Sequence, residues 1–164
     1  MTLAEAAARA DELAGEGKEQ ELAELRRQWD DELEAAARSA DYRERAVAFR
    51  AIAQFRYRQK AELLARGLDD DSPACRGSAV LAFESLSRDH PGVINSVRPA
   101  LHELASHDGN EAVRRLAIVA LRNGSPQQDT IRILSALAED DEQSRELRDA
   151  AAKVAQALRR KGKS

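Results

Sequence analysis

The densest grouping of residues able to contact a ligand is a basic segment in the first half of the chain. Ammonium and guanidinium groups contact phosphates, and aromatic rings stack on bases, so such a mixture is typical of a surface that binds nucleic acid. The segment consists of Arg43, Arg45, Arg50, Arg56, Arg58, Lys60 and Arg66, interleaved with Phe49, Phe55 and Tyr57.

A second explanation of the same segment is internal to the protein. Residues 1–37 carry 4 basic and 11 acidic side chains, whereas residues 38–66 carry 8 basic and 3 acidic ones. The two stretches can therefore lie against each other, and Phe49 and Phe55 then belong to a core. We favour this explanation, although the run from Arg56 to Arg58 is still where we expect a partner first. The partner-binding residues that we predict are Arg50, Arg56, Tyr57, Arg58, Lys60 and His102.

The remaining chemistry-bearing residues do not form a recognisable catalytic or metal-binding pattern. The histidines, His90, His102 and His107, lack the i, i+4 spacing that suits a metal site on a helix, and Cys75 is the only cysteine. We interpret the histidines as surface residues and Cys75 as a small apolar core residue rather than a nucleophile. We therefore predict no enzymatic activity, no catalytic residue, no metal, no cofactor and no small-molecule substrate.

The composition favours helices throughout. The chain has 164 residues and a net charge of −3, with 32 alanines and 6 aromatic residues, so few β-branched or aromatic residues are left for strands. Thr2 and Glu5 have the spacing of a capping box, which predicts a first helix that ends near Gly15–Gly17. A second helix is predicted from Lys18 to Arg38. One face of it carries Leu22, Leu25, Trp29, Leu33 and Ala36.

From Asp41 onward the sequence repeats itself. An arginine followed three residues later by an alanine occurs four times, as Arg43/Ala46, Arg76/Ala79, Arg114/Ala117 and Arg148/Ala151. These arginines could form a ligand-binding ladder, but we favour a structural role in which each guanidinium pairs with acids of its own or the next repeat. Residues 41–66 contain no Gly or Pro, so one long helix is an alternative there. The repeat interval favours two helices with a turn near Arg56–Gln59.

These units resemble the HEAT-repeat family, in particular its short bacterial and archaeal members. The best match is Asp108-Gly-Asn-Glu-Ala-Val-Arg-Arg-Leu-Ala-Ile-Val-Ala-Leu121, and a second match, Asp70 to Ala79, has Cys75 where the family pattern has Val. The units at Arg43 and Arg148 are degenerate, and residues 1–40 lie outside the resemblance. The likeness implies an all-α fold, a short right-handed α-α solenoid over residues 41–160. The helical pair of residues 1–40, which lies outside the likeness, is predicted either to cap this solenoid or to extend it and pair with another chain.

The same resemblance implies a binding role, because such repeats are mostly scaffolds. We expect a non-catalytic scaffold or adaptor that binds an unidentified protein, in the cytoplasm and away from membranes. The alternative is a nucleic-acid-binding protein that uses residues 43–60, and a pigment lyase or chaperone, by fold analogy alone, comes last. Residues 161–164 are predicted to be a basic tail. Gly162-Lys163-Ser164 imitates the end of a phosphate-binding loop, but Ala157 stands where that loop needs its first glycine.

Overall fold

The computed structural model describes residues 1–163, and these form ten α-helices and one short 3-10 helix, with no strand among them. The predicted all-α class is therefore confirmed. The chain divides into two compact units, Met1–Leu86 and a second that begins at Ser87. The predicted pair 1–40 thus shares a unit with the residues that follow it, up to Leu86.

The first unit contains five helices and the 3-10 helix. Its elements are α1 (Leu3–Gly15), α2 (Glu19–Ala37), α3 (Tyr42–Gln54), the 3-10 helix (Arg58–Lys60), α4 (Ala61–Gly67) and α5 (Pro73–Ser87), of which Ser87 already belongs to the second unit. The helices α1, α2 and α3 pack against one another, and α4 packs on α3. The two helices predicted before residue 40 are therefore confirmed, to within one residue at each of their four ends.

The second unit contains five helices. They are α6 (Gly92–Ser96), α7 (Arg98–His107), α8 (Glu111–Leu121), α9 (Gln128–Glu139) and α10 (Arg145–Gly162). Helix α7 packs on α8 and α9, and α10 packs on α8 and α9. Because α10 runs to Gly162, Lys161 and Gly162 belong to the helix rather than to the predicted tail. Lys163 follows the helix, and Ser164 lies outside the described residues.

Polar side chains fix the starts of several helices. Thr2 accepts a hydrogen bond from the amide of Glu5 at 3.2 Å, and Asp41, Asn110 and Ser144 cap α3, α8 and α10 in the same way. Each cap satisfies a backbone N–H that has no partner within its helix. At α10 the capping residue is Ser144, although the sequence offers the acids Asp140 and Asp141 a few positions earlier.

The turn between α3 and α4 settles the choice that the sequence left open. The chain leaves the helix at Phe55, and Arg56 adopts the left-handed region with a φ of 52°. This conformation costs a non-glycine residue about 1 kcal/mol. Arg26 of α2 offsets that cost, because its Nε donates to the carbonyl of Phe55 at 2.7 Å and its Nη2 to that of Arg56 at 3.0 Å. The prediction of two helices with a turn near Arg56 is confirmed.

The core is built largely from small side chains. Ala6, Ala7 and Ala10 of α1 have no exposed surface, and such residues let helix axes approach closely. The predicted aromatic core residues are also in place, since Phe49 is 2% exposed and Phe55 is fully buried. Trp29 is 7% exposed, as expected for a packing residue.

Gly67 packs so closely against neighbouring side chains that an added methyl group should destabilise the protein. A Cβ added at Gly67 would lie 2.9 Å from the Cβ of Ala79 and 3.0 Å from a ring carbon of Phe49. We therefore expect Gly67→Ala to lower the free energy of unfolding in urea by about 1–3 kcal/mol. Gly15→Ala is the matched control, because that glycine also ends a helix but has no heavy atom within 4 Å of the added Cβ. Equal effects of the two substitutions would contradict this close packing.

Candidate functional site

The cations of the basic segment meet the acids of the N-terminal helices. Lys60 has 15% of its side chain exposed, and its Nζ lies 2.8 Å from Asp30 Oδ1 and 2.5 Å from Glu34 Oε1. Arg56 Nη1 donates to Asp11 Oδ1 at 2.8 Å, and the Tyr57 hydroxyl donates to Asp30 Oδ1 at 2.8 Å. The internal explanation of this segment therefore holds for these three residues.

The electrostatics of this cluster follow from its contacts. Hydrogen bonds from Lys60 and Tyr57 lower the pKa of Asp30, and the hydrogen bond from Lys60 lowers that of Glu34. Burial opposes the charge on Lys60, but the hydrogen bonds with both carboxylates outweigh it and raise the pKa of Lys60. Burial, followed by the bond to Asp30, raises the pKa of Tyr57. The lysine and both carboxylates therefore stay ionised at neutral pH, and the ammonium group of Lys60 offsets one of the two negative charges.

The other three predicted partner-binding residues lie on three different elements. Arg50 on α3 and Arg58 in the 3-10 helix have exposed side chains. His102 lies in the second unit on α7, where its Nε2 is 2.8 Å from Thr130 Oγ1, and Thr130 is 1% exposed. Burial and the nearby charge of Arg98 lower the pKa of His102. His102 is thus a partly buried residue bonded to a neighbouring helix, which corrects its interpretation as a surface histidine.

In the first repeat the structural arginine is Arg45 rather than Arg43. The Arg43 side chain is 77% exposed, and the one acid that it reaches among residues 1–163 is Asp41, at 3.4 Å. Arg45 instead donates from Nε and Nη2 to the two carboxylate oxygens of Asp70, each at 2.9 Å, and from Nη1 to the carbonyl of Ser39 at 3.0 Å. Although burial acts in the opposite direction, the guanidinium lowers the pKa of Asp70 to about 2.

The positions of the alanines support the same two-residue shift. Three residues after Arg45 lies Ala48, which is fully buried like Ala79, Ala117 and Ala151, whereas Ala46 is partly exposed. Arg76 also donates from Nη1 to a carbonyl six residues earlier, that of Asp70, at 2.9 Å. The pair Arg43/Ala46 has the same spacing as the pair Arg45/Ala48 but lies two residues earlier. The sequence motif therefore selected the wrong arginine, and the structural counterpart of Arg76 is Arg45.

The other two arginines of the motif, Arg114 and Arg148, both contact the loop before α10, and Arg114 also contacts the last turn of α7. Arg114 donates from Nε to the carbonyl of Ala105 at 2.9 Å and from Nη1 to Gln143 Oε1 at 2.8 Å. Arg148 Nη1 lies 3.8 Å from Asp141 Oδ1. Arg114 Nη2 and Arg148 Nε are buried and have no hydrogen-bond partner among residues 1–163.

The side chains associated with metal or nucleophile chemistry are dispersed or buried. Within residues 1–163, no group of three or more His, Cys, Asp or Glu side chains is arranged to hold a metal ion. Cys75 is fully buried, as predicted, and its thiol lies 3.1 Å from the carbonyl of Tyr42, to which it donates. Burial raises the pKa of this thiol. It is therefore a packing residue in this structure.

Three helices of the first unit together form an apolar groove that the sequence analysis did not predict. Its volume is about 510 Å³, and its apolar surface comes from the start of α1, the end of α2 and the middle of α3. Val47 is 40% exposed there, which makes it one of the few large apolar residues left open to solvent. The lining residues are Thr2, Leu3, Ala4, Glu32, Ala36, Arg43, Glu44 and Val47.

Acids border this groove, and they are not neutralised. Glu32 and Glu44 have no ion pair among residues 1–163, in contrast to Asp30 and Glu34 on the opposite side of α2. The cation at the rim, Arg43, is held near Asp41 and lies over the Tyr42 ring, 5.7 Å from its centroid. The groove thus offers an apolar floor with negative charge at its edge.

No family model, no curated protein and no solved structure matched this chain. Among residues 1–163, no helix is both long and apolar enough to cross a membrane.

Proposed function

We propose that this protein is a non-catalytic binding module, a scaffold or adaptor that holds a protein partner in the apolar groove of its first unit. The observation that carries the proposal is the exposure of Val47 over a groove with an apolar floor and two unneutralised acids. Apolar surface with a polar rim is a common form of protein-binding site. The volume, about 510 Å³, accommodates one or two large side chains.

The charges at the groove define the chemistry of the partner. Glu32 and Glu44 favour lysine or arginine, and Leu3, Ala36 and Val47 favour a large aliphatic or aromatic side chain. We therefore propose a peptide segment of another protein in which one or two apolar anchors stand within a turn or so of basic residues. Such a segment places its anchors on the floor and its cations at the rim.

The alternative, nucleic-acid binding through residues 43–60, would have to compete with internal ion pairs. Two of its principal cations, Arg56 and Lys60, contact Asp11, Asp30 and Glu34. A phosphate would have to displace those carboxylates, which already satisfy the same donors. The positive potential that attracts nucleic acid is therefore reduced at these positions.

The HEAT-like solenoid and a cytoplasmic location are also part of the proposal. The shared offset of the Arg45 and Arg76 hydrogen bonds supports a repeat in which one arginine per unit fastens the preceding loop. The single cysteine, which cannot form a disulfide within the chain, fits a compartment that keeps thiols reduced.

A peptide-display selection tests the function even though the partner is unidentified. Random 16-residue peptides are selected on the purified protein, and parallel selections use Val47→Asp and Leu81→Asp. Leu81 is a matched control because it is 44% exposed, close to the 40% of Val47, but does not line the groove.

We expect peptides with an apolar anchor near Lys or Arg to be enriched on the wild-type protein and on Leu81→Asp, but not on Val47→Asp. A carboxylate placed on the apolar floor must be desolvated when an anchor binds, and this abolishes the enrichment. No enrichment on the wild-type protein, or equal enrichment on all three proteins, would contradict the proposal.

A further inference from the structure

The second unit carries a cluster of cations at the end of its last helix. From Ala150 to Lys163 the chain has five basic residues and no acid, and residues 112–128 also contain none. The two stretches meet in the fold, because Lys161 Nζ donates to the carbonyls of Arg122 and Gly124, at 2.7 and 2.9 Å. We call the side chains of Arg122, Arg159, Arg160, Lys161 and Lys163 the α10 cation cluster.

Most charges in this cluster are not neutralised by the protein. Arg122, Arg159, Arg160 and Lys163 are exposed and form no ion pair within residues 1–163. Arg159 donates to a neutral group, Ser135 Oγ, at 2.6 Å. This differs from the first unit, where Arg56 and Lys60 contact carboxylates.

Two members of the cluster, Arg159 and Lys163, also line a shallow cavity of about 330 Å³. Pro126 and Gln128 form one side of the cavity, and Arg159 and Lys163 lie on the other. A further cation lies beneath the same loop, since the largely buried Arg98 donates to Ser125 Oγ at 2.7 Å. The side chain of Asp129, the acid nearest in sequence to this loop, is bound by Arg132 at 2.8 Å. The local field at the cavity is therefore positive.

We infer that the α10 cation cluster binds the phosphate backbone of duplex nucleic acid, a function separate from the proposed peptide groove. Four exposed cations without carboxylate partners are suited to contacts that depend on charge alone. Arg159 and Lys163 line the same cavity, so their charges lie close enough together to contact neighbouring phosphates.

The second unit lacks the features that would favour single-stranded nucleic acid, an acidic protein or a lipid surface, and duplex nucleic acid is therefore the ligand that fits best. The chain has no Phe, Tyr or Trp after Phe83, so the second unit lacks the large aromatic rings on which unpaired bases stack most strongly. Among residues 1–163, Val119 is the one large apolar residue of the second unit that is markedly exposed, and it lies outside the cluster. The cluster therefore lacks the apolar anchors by which an acidic protein or a lipid surface would gain affinity.

Fluorescence anisotropy with a labelled 20-base-pair DNA duplex tests the inference on the full chain. The variant Arg159→Gln/Arg160→Gln/Lys163→Gln removes three charges of the cluster. The matched control Arg66→Gln/Arg115→Gln/Lys153→Gln removes three exposed cations that have no ion pair among residues 1–163 and lie outside the cluster and outside residues 43–60. Far-UV circular dichroism and thermal melts establish that both proteins remain folded.

We expect the wild-type protein to bind at 50 mM salt and to lose affinity steeply towards 200 mM, because phosphate contacts release counterions. The cluster variant should bind at least 10-fold more weakly, with a log–log salt slope smaller by about 2–3, while the control changes less than about 3-fold. Absence of wild-type binding at 50 mM salt, or equal weakening in both variants, would overturn the inference. So would equally tight binding of polyglutamate with the same sensitivity to the variants, which would assign the cluster to an acidic protein.

Discussion

Replacement of Arg45 by alanine is expected to lower the free energy of unfolding by about 2–3 kcal/mol, because it leaves a partly buried carboxylate without its hydrogen-bonding partner. The side chains of Arg45 and Asp70 are only 16% and 9% exposed, and both carboxylate oxygens accept from the guanidinium. The substitution also removes the donor to the carbonyls of Ser39 and Ala40, in the connection that precedes α3. Urea unfolding followed by circular dichroism at pH 7 measures the loss.

Two further variants separate the charge pair from a general effect of removing an arginine. Arg43→Ala should change the free energy of unfolding by less than about 0.5 kcal/mol, because that side chain is 77% exposed and the one acid that it reaches among residues 1–163 is Asp41. Asp70→Asn keeps the shape but removes the charge, and it should also be strongly destabilising. If Arg43→Ala were as harmful as Arg45→Ala, the first repeat would have the register that the sequence motif indicated.

Lys60→Glu is expected to lower the free energy of unfolding by about 2 kcal/mol. The new carboxylate would stand beside Asp30 and Glu34, which lie 2.8 and 2.5 Å from the present ammonium group. Three crowded carboxylates raise one another's pKa in the folded protein. A carboxylate whose folded-state pKa is raised destabilises the protein above that pKa, so the loss in the variant should shrink as the pH falls from 7 towards 4.

The wild-type protein itself loses stability as the pH falls, and this also reduces the difference in free energy of unfolding between it and Lys60→Glu. Asp30 and Glu34 have lowered pKa values, so their contribution is present above about pH 4 and is lost on acidification. Arg50→Glu is the control, since Arg50 is exposed and lies on α3 away from these acids. It should cost less than about 0.5 kcal/mol at either pH. A Lys60→Glu variant as stable as Arg50→Glu at pH 7 would mean that the cluster does not stabilise the fold.

The internal ion pairs of Arg56 and Lys60 complicate any mutational test of nucleic-acid binding by residues 43–60. A charge reversal that includes Arg56 or Lys60 also breaks contacts with Asp11, Asp30 or Glu34. Loss of binding in such a variant would report on the packing of α1 and α2 against the turn after α3. Neutral substitutions at exposed cations avoid this ambiguity.

Local rules predicted most of the helices of the first unit. Thr2 and Asp41 cap the starts of helices, and Gly15 and Gly17 indicate a helix end. Both signals can be read locally, because a cap bonds an amide two or three residues away and glycine disfavours continuation of a helix. The charge imbalance between residues 1–37 and 38–66 also anticipated the pairing of Lys60 with Asp30. A partly buried charge is stabilised when it pairs with an opposite charge, so an acidic and a basic stretch of one chain tend to pack together.

Register and surface shape were beyond local rules. Arg43 and Arg45 are both arginines near an alanine, and what separates them is the carboxylate of Asp70, 25 residues further along the chain from Arg45. The groove likewise combines Leu3, Ala36 and Val47 from three helices, so no single stretch of sequence shows it. The one available signal was Val47, an apolar residue between the exposed Arg43 and Arg50 on α3.

The most direct test of the proposed function is the ratio of peptide affinities in two matched variants. A peptide enriched by display is titrated calorimetrically into Val47→Asp and Leu81→Asp, both shown to be folded by their thermal melts. Binding in the groove predicts at least a 10-fold weaker affinity for Val47→Asp, and an affinity for Leu81→Asp within about 2-fold of the wild-type value. Equal affinities for the two variants would place the peptide elsewhere on the protein and contradict the proposal.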